Sequence, residues 1–419
     1  MAAMDGTVAS PGLRTGVPHP GMGFREFVAI IAVMMMANAL AIDSMLPALP
    51  EIGHALGTTT DNQQQWIVTA YLLGFGAAQI IYGPLADRFG RKPVLLAGFA
   101  IYALASLVAM FSGAFGTMLA ARAVQGIGAA STRVLAVSIV RDSYSGRKMA
   151  QVMSLAFIVF LAVPVVAPTL GQVIMLVAPW RFIFLFLAAF GAAAGLWVLS
   201  RLPETLHPED RMPIAPGRVL AAFRFALSNR IAVGYMLAMA LMMGGLFGFI
   251  NSAQQVFADT FAAPQLFTSI FAAIAVAMAL ASMLNAKLVG RFGTRRISHG
   301  SLLGYIGFAV VHATLALAGH ESLWSFALLQ AGMMFCFGLT GPNFGSMAME
   351  PLGHIAGTAS AVQGFITTFG GALIGFFIGQ QFDGTTAPLM LGFAACGVLS
   401  LCMVLFAEGG RLFRPRQGA

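Results

Sequence analysis

One carboxylate stands well inside a predicted apolar segment, and it is the first candidate for chemistry. Asp43 lies near the end of the apolar run from residue 27 to residue 46, four residues before Pro47. An ionisable side chain among apolar residues is costly unless it faces a polar interior, so we interpret it as functional. An acid that moves between dry and wet surroundings can bind and release protons. The alternative is a carboxylate at a helix end that only meets bulk water.

Two arginines stand inside another apolar run, from residue 116 to residue 140. Arg122, Gln125 and Arg133 recur at intervals that place them on one face of an α-helix, and we expect this face to line a central cavity. Arg122 cannot easily lose its proton, and a structural role in bonding backbone carbonyls stays open. Arg133 either contacts a solute or extends to the nearer helix end. In a cavity, two positive charges against one carboxylate favour neutral or anionic solutes.

The composition indicates the elements that must position these residues. Hydrophobic residues make up 58% of the chain and charged residues 9%, whereas soluble domains are about 45–50% apolar and about 25% charged. Runs of roughly 20 apolar residues can cross a bilayer. About twelve such spans are predicted, at 27–46, 66–85, 93–112, 116–140, 149–175, 181–202, 230–257, 266–288, 299–318, 323–347, 357–381 and 386–407.

The lysines and arginines set the orientation, because loops that stay in the cytoplasm retain positive charge. With the amino terminus inside, twenty of the 23 basic residues fall on the cytoplasmic side. We therefore expect a multi-pass protein of the inner (cytoplasmic) membrane with both termini in the cytoplasm. The net charge of +8 is spread over short loops, which indicates topology and contact with lipid rather than binding of nucleic acid.

The order of the spans predicts a duplicated, all-α membrane protein. The expected parts are a cytoplasmic tail at 1–26, a six-helix bundle at 27–202, a cytoplasmic linker at 203–229, a second six-helix bundle at 230–407 and a tail at 408–419. Proline-rich sequence marks the linker, and its second part predicts a short amphipathic helix. An Arg-Phe-Gly sequence follows the second span of each block, 203 residues apart. Such parallel repeats are typical of transporters that rock two halves about a central site.

The loop at the first of these repeats, Gly83-Pro84-Leu85-Ala86-Asp87-Arg88-Phe89-Gly90-Arg91-Lys92-Pro93, resembles a family signature. It matches the loop between the second and third helices of the major facilitator superfamily. Almost the whole chain is similar to the twelve-helix drug-proton antiporters, and within them to the Bcr/CflA-type efflux group. The matching pieces are residues 42–50, 122–128, 140–142 and 357–361. The resemblance implies two pseudo-symmetric six-helix bundles, proton coupling at Asp43 and Arg122 as the partner of that acid.

The loop also predicts a cytoplasmic gate. Asp87 and Arg91 are one helical turn apart, and Asp142 ends the fourth span on the same side, so a carboxylate–guanidinium–carboxylate cluster can latch helix ends and release them. The resemblance assigns this role to Gly83, Asp87, Arg88, Gly90, Arg91 and Asp142. The alternative, that the charges only set topology, applies to Arg88. In the second copy Gly290 replaces the aspartate, so we expect a latch in the first half and only basic residues in the second.

The fifth span carries Pro164, Pro168 and Gly171, which we expect to bend the helix and permit close packing. The resemblance to antiporters is partial there, because Ala167 and Gln172 stand where glycines are expected. Symport therefore stays open beside antiport.

These features favour a proton-driven exporter of small, moderately hydrophobic compounds that works by alternating access. The candidate cavity residues are Asn38, Tyr71, Gln125, Arg133, Asn251, Gln254 and Gln255. The expected partners are a small solute, protons and the bilayer, with a monomeric protein, no metal and no cofactor apart from the proton gradient. A dedicated metabolite exporter or symporter is the near alternative. A non-transporting membrane sensor is the distant one, and an enzyme is not expected because no catalytic or phosphate-binding motif is present.

Overall fold

The computed structural model describes residues 22–214 and 216–413, which form helices joined by loops. Within this part of the chain, twelve helices are long and apolar enough to cross a membrane. They are α1 (Phe24–Asp43), α2 (Trp66–Phe89), α3 (Arg91–Met110), α4 (Phe115–Ser143), α5 (Gly146–Val177), α6 (Arg181–Arg201), α7 (Arg230–Gln255), α8 (Phe267–Phe292), α9 (Thr294–Leu317), α10 (Leu323–Met349), α11 (Ala356–Gly379) and α12 (Ala387–Glu408). The all-α membrane fold predicted from the sequence is confirmed. Most of the two predicted tails, residues 1–21 and 414–419, lies outside the described residues.

Two glycines make the repeated loops into tight turns. Gly90 alone joins α2 to α3, and Gly293 alone joins α8 to α9. Their φ angles are 104° and 83°, a region that only glycine adopts without strain. The sequence repeat is therefore a repeat of structure, with the same reversal of the chain in each half.

The helices of each half pack in a similar order. In the first half α4 packs against α2 and α3, and α1 packs against α5; in the second half α10 packs against α8 and α9, and α7 packs against α11. Glycines allow the closest crossings, because a Cβ added at Gly74 or Gly126 would meet the backbone of Ala123 or Tyr71. The two halves meet mainly where α2 packs against α11 and α5 against α8.

The outside of the bundle is apolar, as a lipid environment requires. Leu176 on α5, Leu328 on α10 and Phe377 on α11 are each more than 60% exposed. Their exposure would be unfavourable in water and is favourable among acyl chains. The chain is a multi-pass membrane protein.

The helix bundle has two ends. The end that holds the turn at Gly90 and the segment between α6 and α7 is called the linker face, and the opposite end the far face. The predicted short helix of the linker is present as Pro216–Ser228, and the ring of Phe223 in it lies 5.9 Å from that of Phe365 on α11. At the far face, a short helix at Leu49–Ala55 follows α1 and buries Leu49 and Ile52. The sequence had not indicated this cover over the end of α1.

Candidate functional site

Asp43 is the last residue of α1 and lies beneath the cover formed by the following residues. Its exposure is 4%, and Ser44, Met45 and Leu46 beside it are fully buried. In the part of the chain that the structure describes, its carboxylate has no hydrogen bond or ion pair. The alternative of a helix end that meets bulk water does not fit this burial. A buried acid without a partner is costly as an anion and much less so when protonated.

Arg122 reaches the same end of α1 from α4, and its side chain is fully buried. Its guanidinium donates hydrogen bonds to the carbonyl oxygen of Ala41 at 2.9 Å and to that of Ile67 on α2 at 3.3 Å, and to the side chain of Gln125. It also lies 4.5 Å from the centre of the Tyr71 ring. Arg122 thus joins α1, α2 and α4 through backbone carbonyls, which is the structural role left open above.

Arg122 and Asp43 form no ion pair in this structure. Arg122 instead bonds Ala41, two residues before the acid on the same helix. Any charge compensation between them requires a rearrangement at the end of α1. The pairing implied by the family resemblance therefore stays a prediction for another conformation.

Three predicted cavity residues are engaged inside the first half. Tyr71 donates a hydrogen bond to Asn38 at 3.0 Å, which joins α2 to the middle of α1. Gln125 is fully buried and donates to Ser106 on α3 at 2.7 Å. Asn38 is half-buried, and its contact with a solute stays a prediction, whereas the structure places Gln125 in the packed interior of the half.

Two further predicted cavity residues, Asn251 and Gln255, lie at the far end of α7 and are 1% exposed. Asn251 donates to Thr69 of α2 at 3.3 Å, and Gln255 accepts from Gln65 at 2.6 Å. Here they join the two halves instead of lining an open cavity. Gln254 between them is half-buried, and contact of these residues with a solute stays a prediction.

The far face is closed by a polar network between the halves. Asn62, Gln65, Gln255 and Gln380 form the far-face network, in which side chains bond each other or a neighbouring backbone. Asn62 donates to the carbonyl oxygens of Gln380 at 3.2 Å and of Phe382 at 2.8 Å, and Gln255 donates back to Asn62 at 3.0 Å. Hydrogen bonds of this kind between halves cluster at the far face, which closes it.

The interior is accessible from the other end. Arg133 and Val137 on α4 are exposed in the half of the helix nearer the linker face, although they share the face of α4 that carries buried Arg122. The structure is therefore closed at the far face and open toward the linker face.

The predicted cluster in the first loop is present. The guanidinium of Arg91 lies 2.6 Å from the Asp87 carboxylate and 3.0 Å from that of Asp142, which ties α2, α3 and α4 together at the linker face. Arg88 is exposed, and a side chain at Gly83 would meet open space. The ion pairs thus involve three of the six predicted gate residues, Asp87, Arg91 and Asp142, and the action of a gate stays a prediction.

Glu204 completes this cluster, and sequence reasoning missed it. Its carboxylate accepts hydrogen bonds from the backbone N–H groups of Arg91 at 2.9 Å and of Lys92 at 3.2 Å. These are unpaired donors at the start of α3, where a negative charge is favourable. A Cβ at Gly90 would collide with the same carboxylate. No local signal in the sequence links Glu204 to a turn more than a hundred residues earlier.

The second loop itself carries only basic residues, as expected, but the expectation that a charged cluster forms in the first half alone is wrong. Arg295 of α9 lies 2.8 Å from Glu350 and 2.8 Å from Glu408, which come after α10 and at the end of α12. Tyr235 of α7 donates to Glu408 at 2.7 Å. The aspartate missing at Gly290 is replaced by carboxylates distant in sequence.

The fifth helix packs closely against the region of Asp43. Pro164 and Pro168 lie within α5, and a Cβ at Gly171 would collide with the carbonyl oxygen of Ser44. Gly171 thus permits the close approach expected of it, beside the residue that follows Asp43. In the described residues, His, Cys, Asp and Glu side chains form no group of three that could hold a metal ion.

Comparison with known proteins adds a family to this geometry. The family model described as Major Facilitator Superfamily matches residues 31–375. The chain is 29% identical over 393 residues to a bicyclomycin resistance protein homolog of Haemophilus influenzae, covering 92% of this chain and 97% of that one. It is 31% identical to YdgK of Bacillus subtilis, named as an uncharacterized MFS-type transporter, covering 86% and 90%. It is 30% identical to a chloramphenicol resistance protein of Pseudomonas aeruginosa, covering 83% and 81%.

Among solved structures, the human organic anion transporter MFSD10 (TETRAN) has a similar fold. The TM-score is 0.65 at 21% sequence identity, and the match covers 92% of this chain and 100% of that chain. At this identity the likeness concerns the arrangement of the helices.

Proposed function

This chain belongs to the major facilitator superfamily, and we propose that it exports small, moderately hydrophobic compounds, antibiotics among them, in exchange for protons. The match to the family model confirms the family resemblance that was seen in the sequence. The names of two relatives, for bicyclomycin and chloramphenicol resistance, support export of antibiotics. The observation that carries the proposal is a buried acid without a partner, Asp43, beneath the closed far face.

We place the protein in the inner membrane with the linker face in the cytoplasm. The positive charges of the linker-face loops support this orientation, as do Arg88, Arg211 and Arg224, which are exposed there. The structure then has its interior open to the cytoplasm, from which a compound to be exported enters. The energy source is the proton gradient, and the working unit is a single chain without a cofactor.

Asp43 couples the two fluxes in this proposal. With the far face closed, Asp43 is buried among Ser44, Met45 and Leu46, and it holds a proton because its anion would have no partner. Entry of a compound from the cytoplasm displaces the proton, which leaves through the same opening into the cytoplasm. The halves then rock, the far-face network separates, and Asp43 meets external water from which it takes the next proton.

The linker-face clusters hold the halves rigid during this motion. The cluster around Arg91 joins α2, α3 and α4, and that around Arg295 joins α7, α9 and the ends of α10 and α12. Each lies within one half, so each can persist while the interface between the halves changes. The predicted gate residues thus hold the helix ends of one half together while the two halves rotate relative to each other.

Three alternatives predict different results. A dedicated metabolite exporter gives proton-driven export of one compound, and a symporter gives uptake in the direction of the proton flux. A sensor gives binding without any flux. Transport of labelled compound in proteoliposomes with an imposed pH gradient separates all of them.

The direct test uses Asp43→Asn in a strain that lacks its major efflux pumps. Expression of the natural protein should lower susceptibility to chloramphenicol or bicyclomycin, and Asp43→Asn should abolish the protection while the protein still reaches the membrane. Glu51→Gln, an exposed acid on the cover helix, is the matched control and should keep the protection. Unchanged protection by Asp43→Asn would show that coupling does not pass through this acid.

A further inference from the structure

The arginine in the middle of α4, Arg133, has no assigned role in the scheme above. It is exposed although it lies ten residues from the end of its helix, about 15 Å along the axis. In the described chain its guanidinium makes no hydrogen bond or ion pair. An arginine at this depth without a partner is costly unless water or a ligand reaches it.

The neighbouring residues show that Arg133 faces the interior and not the lipid. At 100° per residue, Arg133 lies within about 20° of Arg122, which contacts α1 and α2 inside the first half. Val124 and Ile127, which are 45% and 39% exposed, lie about 180° and about 120° away on the outer side of the helix. The exposure of Arg133 is therefore exposure to the space that opens toward the linker face.

The side chain also does not extend readily to the linker face. Side chains of an α-helix lean toward its amino terminus, and the amino terminus of α4, Phe115, is at the far face. The Cα–Cβ bond of Arg133 is therefore directed away from the nearer helix end, which lies about 15 Å along the axis, and this favours contact with a solute over extension to the linker face. The exposed arginine close to that end is Arg141, two turns further along.

The carboxylates at the linker-face ends of the long helices are already occupied. On its own helix the nearest is Asp142, which is held by Arg91 at 3.0 Å. The other acids of the linker-face helix ends are also engaged: Glu26 with Arg201, Asp87 with Arg91, Glu204 with the start of α3, and Glu350 and Glu408 with Arg295. The positive charge of Arg133 is thus available to a solute, and a low-dielectric cleft strengthens its attraction for an anion.

We propose that Arg133 is the anion-binding group of the transport cavity, and that the protein takes amphiphilic organic acids with one carboxylate or similar group beside an apolar body. The guanidinium fork matches a carboxylate with two parallel hydrogen bonds. Half-buried methionines in both halves, Met35 and Met36 on α1 and Met239 and Met243 on α7, could supply adaptable apolar surface. This inference rests on the proposed function and adds a preference for acids among the compounds that the protein exports.

The test compares an acid with a neutral compound of the same scaffold. Purified protein in nanodiscs is titrated by calorimetry at neutral pH with chloramphenicol hemisuccinate and with chloramphenicol, for the natural chain, Arg133→Gln, Arg133→Lys and Arg141→Gln. Arg133→Gln should weaken binding of the hemisuccinate by about tenfold to a hundredfold, as expected for loss of a charge-assisted hydrogen-bonded pair, and leave chloramphenicol within about threefold. Arg133→Lys should lose less, and Arg141→Gln should resemble the natural chain.

Other outcomes are equally informative. Equal weakening of both compounds by Arg133→Gln, unchanged binding of the hemisuccinate, or no binding of the hemisuccinate to the natural chain would each overturn the anion site. Export of chloramphenicol from cells by the natural chain tests the proposed function separately. If the protein exports chloramphenicol but Arg133→Gln does not change its preference for the acid, only this inference is wrong. If the protein exports no compound, the proposed function itself is wrong.

Discussion

Arg122 donates a hydrogen bond to the carbonyl oxygen of Ala41 at 2.9 Å, two residues before the buried acid Asp43. The positive charge is therefore attached to the backbone of the acid's own helix and not to the acid. If a change at the end of α1 moved the Asp43 carboxylate toward the guanidinium, Arg122 could exchange the neutral carbonyl oxygen of Ala41 for the charged carboxylate as its acceptor. Arg122 thus binds the backbone two residues before Asp43 and does not pair with the carboxylate in the present conformation.

Replacing Arg122 should damage both stability and export. Arg122→Gln leaves the carbonyl oxygens of Ala41 and Ile67 without their donor in a buried site, at a cost of about 1–3 kcal/mol for each. Arg122→Lys keeps the charge but cannot reach all acceptors, so we expect a smaller fall in melting temperature with export still impaired. Melting in detergent and export in vesicles measure the two effects, and full export by Arg122→Gln would contradict the assignment.

The turns at Gly90 and Gly293 offer a matched pair. Both have positive φ angles, but only at Gly90 does an added Cβ collide with a side chain, that of Glu204. Gly90→Ala should therefore lower the melting temperature more than Gly293→Ala, which introduces backbone strain but no collision with a side chain. Gly290→Ala, inside α8 with open space around it, should be neutral or stabilising. An equal effect at the two turns would mean that Glu204 does not hold the start of α3 in solution.

Of the two carboxylates that bind Arg295, the more buried one should contribute more to the free energy of unfolding. The side chain of Glu408 is 5% exposed and that of Glu350 is 38% exposed, and both bind Arg295. Glu408→Gln removes a buried partner and should cost about 3–5 kcal/mol of unfolding free energy. Glu350→Gln should cost about 1 kcal/mol or less. A reversal of this order in thermal unfolding would show that the cluster is not assembled as described.

A cross-link at the far face should stop transport. Asn62 donates to the carbonyl oxygen of Phe382 in the other half at 2.8 Å, so cysteines at these positions lie within reach of a short thiol cross-linker. In a background without Cys336, Cys396 and Cys402, cross-linking should hold the far face closed and abolish export, and reduction should restore it. Each single cysteine variant treated in the same way is the control, and continued export by the cross-linked protein would exclude opening at this face.

The membrane fold was readable from the sequence because its signals are local. Each span is a continuous apolar run, and the turns at Gly90 and Gly293 carry their glycine in a repeated Arg-Phe-Gly sequence. Helical spacing likewise placed Arg122 and Arg133 on one face of α4. These inferences depend only on residues a few turns apart, which is the distance over which periodicity is informative.

The remaining features depend on contacts between distant segments. Glu204 at the start of α3 and Glu408 beside Arg295 are brought into place by packing, and charged residues at loop ends look alike in sequence whether paired or free. Asn251 and Gln255 were expected in the cavity, but which polar residues join the halves depends on the conformational state. The sequence specifies the helices for every state, whereas the structure describes the state that is closed at the far face.

The central claim is that Asp43 exchanges a proton for a transported compound, and proton release by purified protein tests it most directly. Chloramphenicol is added to the protein in weakly buffered detergent solution, and the pH is followed with a soluble indicator. The natural chain should release protons on addition of the compound, and Asp43→Asn should bind the compound without releasing any, with Glu51→Gln behaving as the natural chain. Equal proton release by Asp43→Asn, or binding to the natural chain without release, would contradict the account.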